Sequence, residues 1–253
     1  MLISWGARAL YVGPSLQLAA HRNAVAVLAI AIDGVLEVAH AAEQRGLGFQ
    51  ACKTVLIEPN ALHHMRSTGR RCAFLYLDAL SDDLQTIRHL CREGAQFQRN
   101  TEDVLIGLLC AMEHSVSGWH STRPALAAAL NLQGARPDWR VSDAIDTLTR
   151  APGQVTHASD LALAAGLSAS RFQHLFKQAT GVPFRRFRTW TRLRAALESA
   201  QGGMSLTAAA HAAGFSSSAH FSTAFKDMFG LAPSQLLALK PVLIGAERKL
   251  HLP

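Results

Sequence analysis

Two kinds of side chain in this sequence could do covalent or metal chemistry, thiols and imidazoles, and neither is spaced for it. Cys52, Cys72, Cys91 and Cys110 stand 20, 19 and 19 positions apart. They form no Cys-x-x-Cys pair, and no Cys/His group has zinc-finger spacing. Buried, reduced thiols are the simpler reading, and the even spacing leaves a redox or metal sensor open. His63 and His64 are neighbours, so on a strand they face opposite sides and at most one points inward. The sequence offers no catalytic residue, metal set or cofactor motif. What it does offer is cationic charge in one half. Residues 1–136 carry 12 Lys+Arg against 11 Asp+Glu, whereas residues 137–253 carry 13 against 7 and hold most of the net +7. A basic half implies a polyanion, either nucleic acid or a membrane surface.

The elements that must position this charge decide between the two. One pattern occurs twice. The first copy runs His157-Ala-Ser-Asp-Leu-Ala-Leu-Ala-Ala-Gly-Leu-Ser, then Phe172, Phe176-Lys177 and Gly181. The second runs Ser205-Leu-Thr-Ala-Ala-Ala-His-Ala-Ala-Gly-Phe-Ser, then Phe221, Phe225-Lys226 and Gly230. Gly166 and Gly214 are 48 positions apart and Phe176 and Phe225 are 49 apart, so the second copy carries one extra residue. In each, an Ala-rich helix ends at a glycine that can turn left-handed. A serine, Ser168 or Ser216, then caps a second helix. Its phenylalanines, four apart, share an inward face. Helix, tight glycine turn and capped helix form a helix-turn-helix, whose second helix enters the major groove of DNA. Between the copies, Phe187, Trp190, Leu193 and Leu197 follow helical spacing from Phe184 to Gln201, among Arg185, Arg186, Arg188, Arg192 and Arg194. A helix of those 18 residues spans about 27 Å, enough to hold two recognition helices near one DNA turn, about 34 Å, apart.

Residues 139–240 resemble the DNA-binding region of AraC-type transcriptional regulators. The resemblance is carried by Leu161-Ala162, Gly166-Leu167-Ser168, Phe172, Phe176-Lys177 and Thr180-Gly181. It continues through Arg192-Leu193, Ala196, Gly214-Phe215-Ser216, His220-Phe221, Phe225-Lys226, Phe229-Gly230 and Pro233. It implies base contacts from Ser170, Arg171, Gln173 and His174 of the first recognition helix, and from Ser218, Ala219, Ser222 and Thr223 of the second. Glutamine can bond adenine N6/N7 in a bidentate way, and His and Arg can donate to guanine, whereas small hydroxyls and Ala discriminate little. The first helix is therefore expected to carry most of the sequence discrimination. Backbone phosphates are expected at Lys177, Arg192, Lys226 and helix N-termini.

Residues 1–79 read as β. Gln17–His21, Ala24–Ile32, Val35–Val38, Phe49–Ile57 and Arg71–Leu77 are strand-like, with Asp33-Gly34 as a hairpin signal and Glu58-Pro59-Asn60 as a stop. Short antiparallel strands predict a sandwich or small barrel. The stretch from Ile57 to His64 resembles the second motif of cupin barrels, Pro-x-Gly-x-x-His, with Ala61 where glycine is expected. No first motif with its metal ligands is visible, and His21 stands alone. AraC-type regulators commonly carry such a barrel as the effector-sensing half, which makes His21 and His63 candidate effector contacts. Helical spacing covers 81–92, 101–115 and 123–132. Those stripes either pack on the barrel or, as the family resemblance implies, pair two subunits.

The expected protein is α+β. A cupin-like antiparallel β-barrel with following helices occupies 1–136 as a sensing and dimerising domain. An all-α DNA-binding domain of two helix-turn-helix units joined by a long helix occupies 137–241, and 242–253 is a tail. The Gly134-Ala135-Arg136-Pro137 stretch is the expected linker. The longest strongly apolar run is too short to span a bilayer, and the first residues lack a signal peptide's pattern, so the expected location is cytoplasmic. Expected partners are double-stranded DNA, a small-molecule effector, a second copy in a homodimer and, for an activator, RNA polymerase, with no membrane. The alternative is a ligand-independent regulator whose N-terminal half only dimerises or contacts other proteins. A metal-dependent cupin enzyme and a DNA-repair methyl acceptor each need a metal-bound cluster that the sequence lacks, so no enzymatic activity is expected.

Overall fold

The structure, a computed structural model, describes residues 1–5, 7–40, 48–79, 81–92, 96–112, 115–132, 138–239 and 243–244. Nine strands come first: β1 (Leu2–Trp5), β2 (Arg8–Pro14), β3 (Leu18–Arg22), β4 (Val27–Ala31), β5 (Leu36–His40), β6 (Gln50–Cys52), β7 (Thr54–Ile57), β8 (Leu62–Ser67) and β9 (Arg71–Tyr76). Then come α1 (Asp83–Leu90), the short ribbon β10 (Cys91–Arg92) and β11 (Gln96–Phe97), α2 (Arg99–Ala111) and α3 (Val116–Ala129). The rest is helical: α4 (Trp139–Arg150), α5 (Ala158–Ala164), α6 (Ala169–Thr180), α7 (Phe184–Gln201), α8 (Leu206–Ala212), α9 (Ser218–Phe229) and α10 (Pro233–Ala238). A last strand, β12 (Leu243–Ile244), follows. The expected linker at 134–137 lies outside the described residues.

The strands form a six-stranded sheet, β12-β1-β2-β9-β4-β7, and a four-stranded sheet, β3-β8-β5-β6. Among the described residues no ladder joins them, so the expected barrel is not closed by hydrogen bonds. The reason is visible at two corners. Asp33-Gly34 does not make a hairpin: β4 pairs with β7 and β9, while β5 pairs with β6 and β8. The turn carries the chain from one sheet to the other. Asp33 Oδ1 accepts the backbone N–H groups of Arg70 (2.5 Å) and Arg71 (3.0 Å), tying this corner to the turn between β8 and β9. The stretch read as one strand from Phe49 to Ile57 likewise breaks at Lys53 into β6 and β7, one in each sheet. In the cupin-like stretch it is Asn60, not the residue at the expected glycine position, that turns left-handed, with φ of 60°.

Ala24–Ile32 is buried throughout because both faces of the six-stranded sheet are covered. Leu28 and Ile30 of β4, with Leu10 and Val12 of β2, meet Ile87, Leu105, Leu109, Trp119 and Leu126 of α1–α3. The helix stripes read from sequence are thus spent on the sheet. α3 begins seven residues before the expected Arg123, because Ser115 caps it by accepting the Gly118 N–H at 3.0 Å. Alternate residues, Val27, Ala29 and Tyr11, face the opposite way, into a core that includes Leu36, Val38 and Met65 of the second sheet and Phe172, Phe187, Trp190 and Phe229 of the helical half. That core is continuous across both halves. The four thiols are unpaired: Cys52 and Cys72 are buried and Cys110 is exposed. Burial pushes the Cys52, Cys72 and Cys91 thiols up to about 11, which leaves them protonated and unreactive at neutral pH.

Candidate nucleic-acid interface

The two helix-turn-helix units are built alike. α5 ends at Gly166, with φ of 67°, and Leu167 N–H donates back to the Ala162 carbonyl at 2.8 Å. Ser168 then caps α6 by accepting the Arg171 N–H at 3.3 Å. α8 ends at Gly214, with φ of 84°, and Phe215 N–H donates to Ala210 at 3.0 Å. Here the cap is Ser217, which accepts the His220 N–H at 3.1 Å, and not Ser216, whose hydroxyl instead lies 3.0 Å from His220 Nδ1. The extra residue of the second copy is this shift of the cap. Both recognition helices, α6 and α9, end at left-handed glycines, Gly181 and Gly230, as the pattern predicts. Phe172, Phe176, Phe221 and Phe225 are fully buried. The first pair packs with Phe184 of α7, and Phe176 also meets Phe187, at ring separations of 5.4 to 5.9 Å. Inward phenylalanines fix the roll of each helix and so turn its other face outward.

That outer face holds the expected readers. Ser170, Arg171, Gln173 and His174 on α6 are all exposed, as are Ser218, Ala219, Ser222 and Thr223 on α9. Lys177 and Lys226 are exposed in the last turn of their helices, where they also complement the helix dipole. Arg192 is placed differently. Its Nε donates to the Pro152 carbonyl at 3.1 Å and its Nη2 to Gln154 at 3.2 Å, so it braces the loop after α4. Its neighbours are similarly employed: Arg188 bonds Thr156 O at 2.6 Å, Arg194 pairs with Glu198 at 2.9 Å, and Arg186 donates to the Arg22 carbonyl of β3. Arg185 is exposed at the start of α7. Four of the five arginines in α7, Arg186, Arg188, Arg192 and Arg194, are thus held by partners within the fold.

His21 and His63 are buried cross-strand partners on β3 and β8, with rings 4.2 Å apart. Each Nδ1 faces the carbonyl two residues before it, His21 that of Ala19 at 2.8 Å and His63 that of Ala61 at 3.0 Å. His21 abuts Gly230 at the end of α9, where Ala19 N–H donates to Gly230 O at 2.9 Å. Burial, with the Arg186 guanidinium adding to it, lowers the His21 imidazole to about 4 against the opposing Ala19 hydrogen bond. His21 is therefore a neutral wedge between the two halves. One apolar space between the halves lies elsewhere. A cavity of about 60 Å³ opens between β1–β3, α7 and α9, lined by Leu2, Tyr11, Leu18, Trp190, Phe229 and other apolar side chains, with Arg194 and Glu198 as its charged part. Tyr76, Trp190 and Phe229 meet there at ring distances of 5.3 to 5.9 Å. Neither histidine lines it. Trp190 was legible in the sequence as a buried helix position, but nothing there showed that its far side meets Tyr76.

Residues 161–238 match the family described as a helix-turn-helix domain. An uncharacterized HTH-type transcriptional regulator of Haemophilus influenzae is 35% identical over 102 residues, covering 40% of this chain and 34% of its own length. The match thus spans about a third of that relative. A structure of ToxT from Vibrio cholerae has the same fold over 92% of this chain and 98% of its own, with a TM-score of 0.58 at 14% identity. A second ToxT structure, bound to an unsaturated fatty acid, gives 0.57 at 14% identity over 91% of this chain and 95% of its own. The doubled turn, the buried phenylalanine pairs and the family match together identify residues 161–238 as an AraC-type DNA-binding helix-turn-helix domain.

Proposed function

We propose that the chain is an AraC-type transcription regulator that reads two successive major grooves of double-stranded DNA. The observation that carries this is the pair of recognition helices, each with its aromatic face buried and its polar face open to solvent. Ser170, Arg171, Gln173 and His174 supply the stronger base readout, and Ser218, Ala219, Ser222 and Thr223 the weaker. Lys177 and Lys226 hold phosphates, with the exposed Arg185 in place of Arg192. Residues 137–241 act as the DNA-binding unit and 1–136 as a cupin-like sensing unit, although its sheets do not close into a barrel. Site selection from random duplexes tests the reading: the full chain and residues 137–253 should both recover two informative blocks about one helical turn apart. A homodimer selects that motif twice. Gln173→Ala should relax one block and cost about 1–3 kcal/mol there, whereas Ser222→Ala should change selectivity little. Selection of no motif by the full chain sinks the proposal.

The effector proposed is a small, largely apolar molecule with one polar group, held between the halves. The apolar cavity and its Arg194–Glu198 pair support this, as does the fatty-acid complex of ToxT. Small-molecule sites usually exceed about 300 Å³, so the cavity admits such a ligand only if the halves shift apart. Occupancy would then change the population of docked and undocked states, which is how a ligand could alter DNA binding. A second reading is a ligand-independent regulator whose N-terminal half dimerises or meets other proteins, RNA polymerase among them. Saturating fatty acids without change in DNA affinity would decide for the second.

A further inference from the structure

The last described strand returns to the first. β12 lies parallel to β1, with Leu243 opposite Leu2 and Ile244 opposite Ile3. It occupies the edge of β1 that β2 leaves open, and it follows the end of α10 at Ala238 by a short connection. α10 belongs to the helical half, whereas β1 belongs to the sheet half. The strand therefore links the halves a second time. It does so beside the cavity: Leu2 is both the register partner of Leu243 and a wall of that cavity, and Leu231 and Leu236, on the approach to the tail, are walls too.

We propose that β12 is a releasable latch, which adds to the shared core in holding the helical half on the sheet half and must leave β1 before the cavity can admit a molecule. Only the second part rests on the reading of the cavity as an effector site. The physical argument is one of scale. Two register pairs of parallel ladder are the least that a sheet can offer, and parallel pairing is weaker per residue than antiparallel. Release of so short a strand is a local opening, far cheaper than unfolding either half. Yet its loss removes a wall-bearing contact and exposes the β1 edge.

The test uses the full chain with Leu2→Cys and Leu243→Cys, in a Cys110→Ser background because Cys110 is exposed. Neighbouring strands lie about 4.8 Å apart, within disulfide reach. The reduced and oxidised forms of this one protein are compared by hydrogen exchange at Leu2–Trp5 and by the rate of uptake of anilinonaphthalene sulfonate. Oxidation should slow both by about tenfold or more, and reductant should restore both. A chain ending at Leu239 should behave as the reduced form or faster. Equal β1 exchange in the oxidised and reduced forms, with full β1 protection in the truncated chain, overturns the latch. Exchange that responds to oxidation while the dye never enters keeps the latch and removes the cavity as a ligand site.

Discussion

Gly230→Ala separates the two jobs of that glycine, ending α9 and seating the helix on the sheet half. Its φ is +75°, and a Cβ there would lie 2.5 Å from His21 Nδ1 and 2.6 Å from the Ala19 carbonyl oxygen. Gly166 is the control, with φ of +67° and nothing within 4 Å of its Cβ. Left-handed backbone costs an alanine about 1 kcal/mol, and both variants bear that cost. Only Gly230→Ala must also push β3 from the end of α9. That loses the 2.9 Å Ala19–Gly230 hydrogen bond, worth about 1 kcal/mol net, and strains the packing by about 1–3 kcal/mol. Urea unfolding of the full chain should therefore show losses of about 1 kcal/mol for Gly166→Ala and about 3–5 kcal/mol for Gly230→Ala, the sum of those terms. Adding His21→Ala should recover part of the second loss, because the ring is one of the two obstacles. Equal losses within about 0.5 kcal/mol would refute the seat between Gly230 and β3.

Further outcomes follow from single contacts. Ser217→Ala should cost about 1 kcal/mol through the lost α9 cap, whereas Ser216→Ala should cost a few tenths at most; thermal melts distinguish them. Lys177→Ala and Lys226→Ala should each weaken binding to all sequences alike and lower the slope of log affinity against log salt by about one, read by fluorescence anisotropy over a salt series. His21 is lowered from 6.5 to about 4 in the fold, so the unfolded chain binds the extra proton between those values. Stability from this group is complete above pH 6.5 and falls as pH drops towards 4, by at most about 1.4 kcal/mol per pH unit. His21→Gln should flatten that limb of the stability profile, and an unchanged slope would exclude His21 as its source.

The helical half was legible almost to the residue, because its signals are local. Glycine at +67° to +84° ends each first helix, and each paired phenylalanine lies within one helix, so spacing alone exposes them. The Ser216 cap was misplaced by one because an extra residue inside a turn changes the capping residue without disturbing either helix's period. The sheet half was legible as strands and not as sheets. Asp33-Gly34 has the composition of a hairpin, and what makes it a corner is the partnering of β4 and β5 with different strands far away in sequence. The exposure of the expected readers on α6 and α9 was legible because it follows from where the phenylalanines point. The bracing by Arg192 was not, since its carbonyl partners, Pro152 and Gln154, precede it by a whole helix-turn-helix unit. The cavity between the halves depends on Tyr76 meeting Trp190 and Phe229, a contact that no periodicity records.

The core shared by the two halves also sets a timetable for biosynthesis. Tyr11, Val27 and Phe74 are covered by Phe187, Trp190 and Phe229, which the ribosome makes much later. Tyr76 precedes its ring partner Trp190 by 114 positions. At about 5–20 residues per second, the apolar face of a newly made sheet half waits roughly 5–25 s for its cover. A nascent chain in that interval presents aromatic and aliphatic surface that the finished protein hides, and so is a substrate for holding chaperones. Translation stalled between residues 80 and 180 should prolong that exposure and send the chain into aggregates, while the completed protein stays in solution.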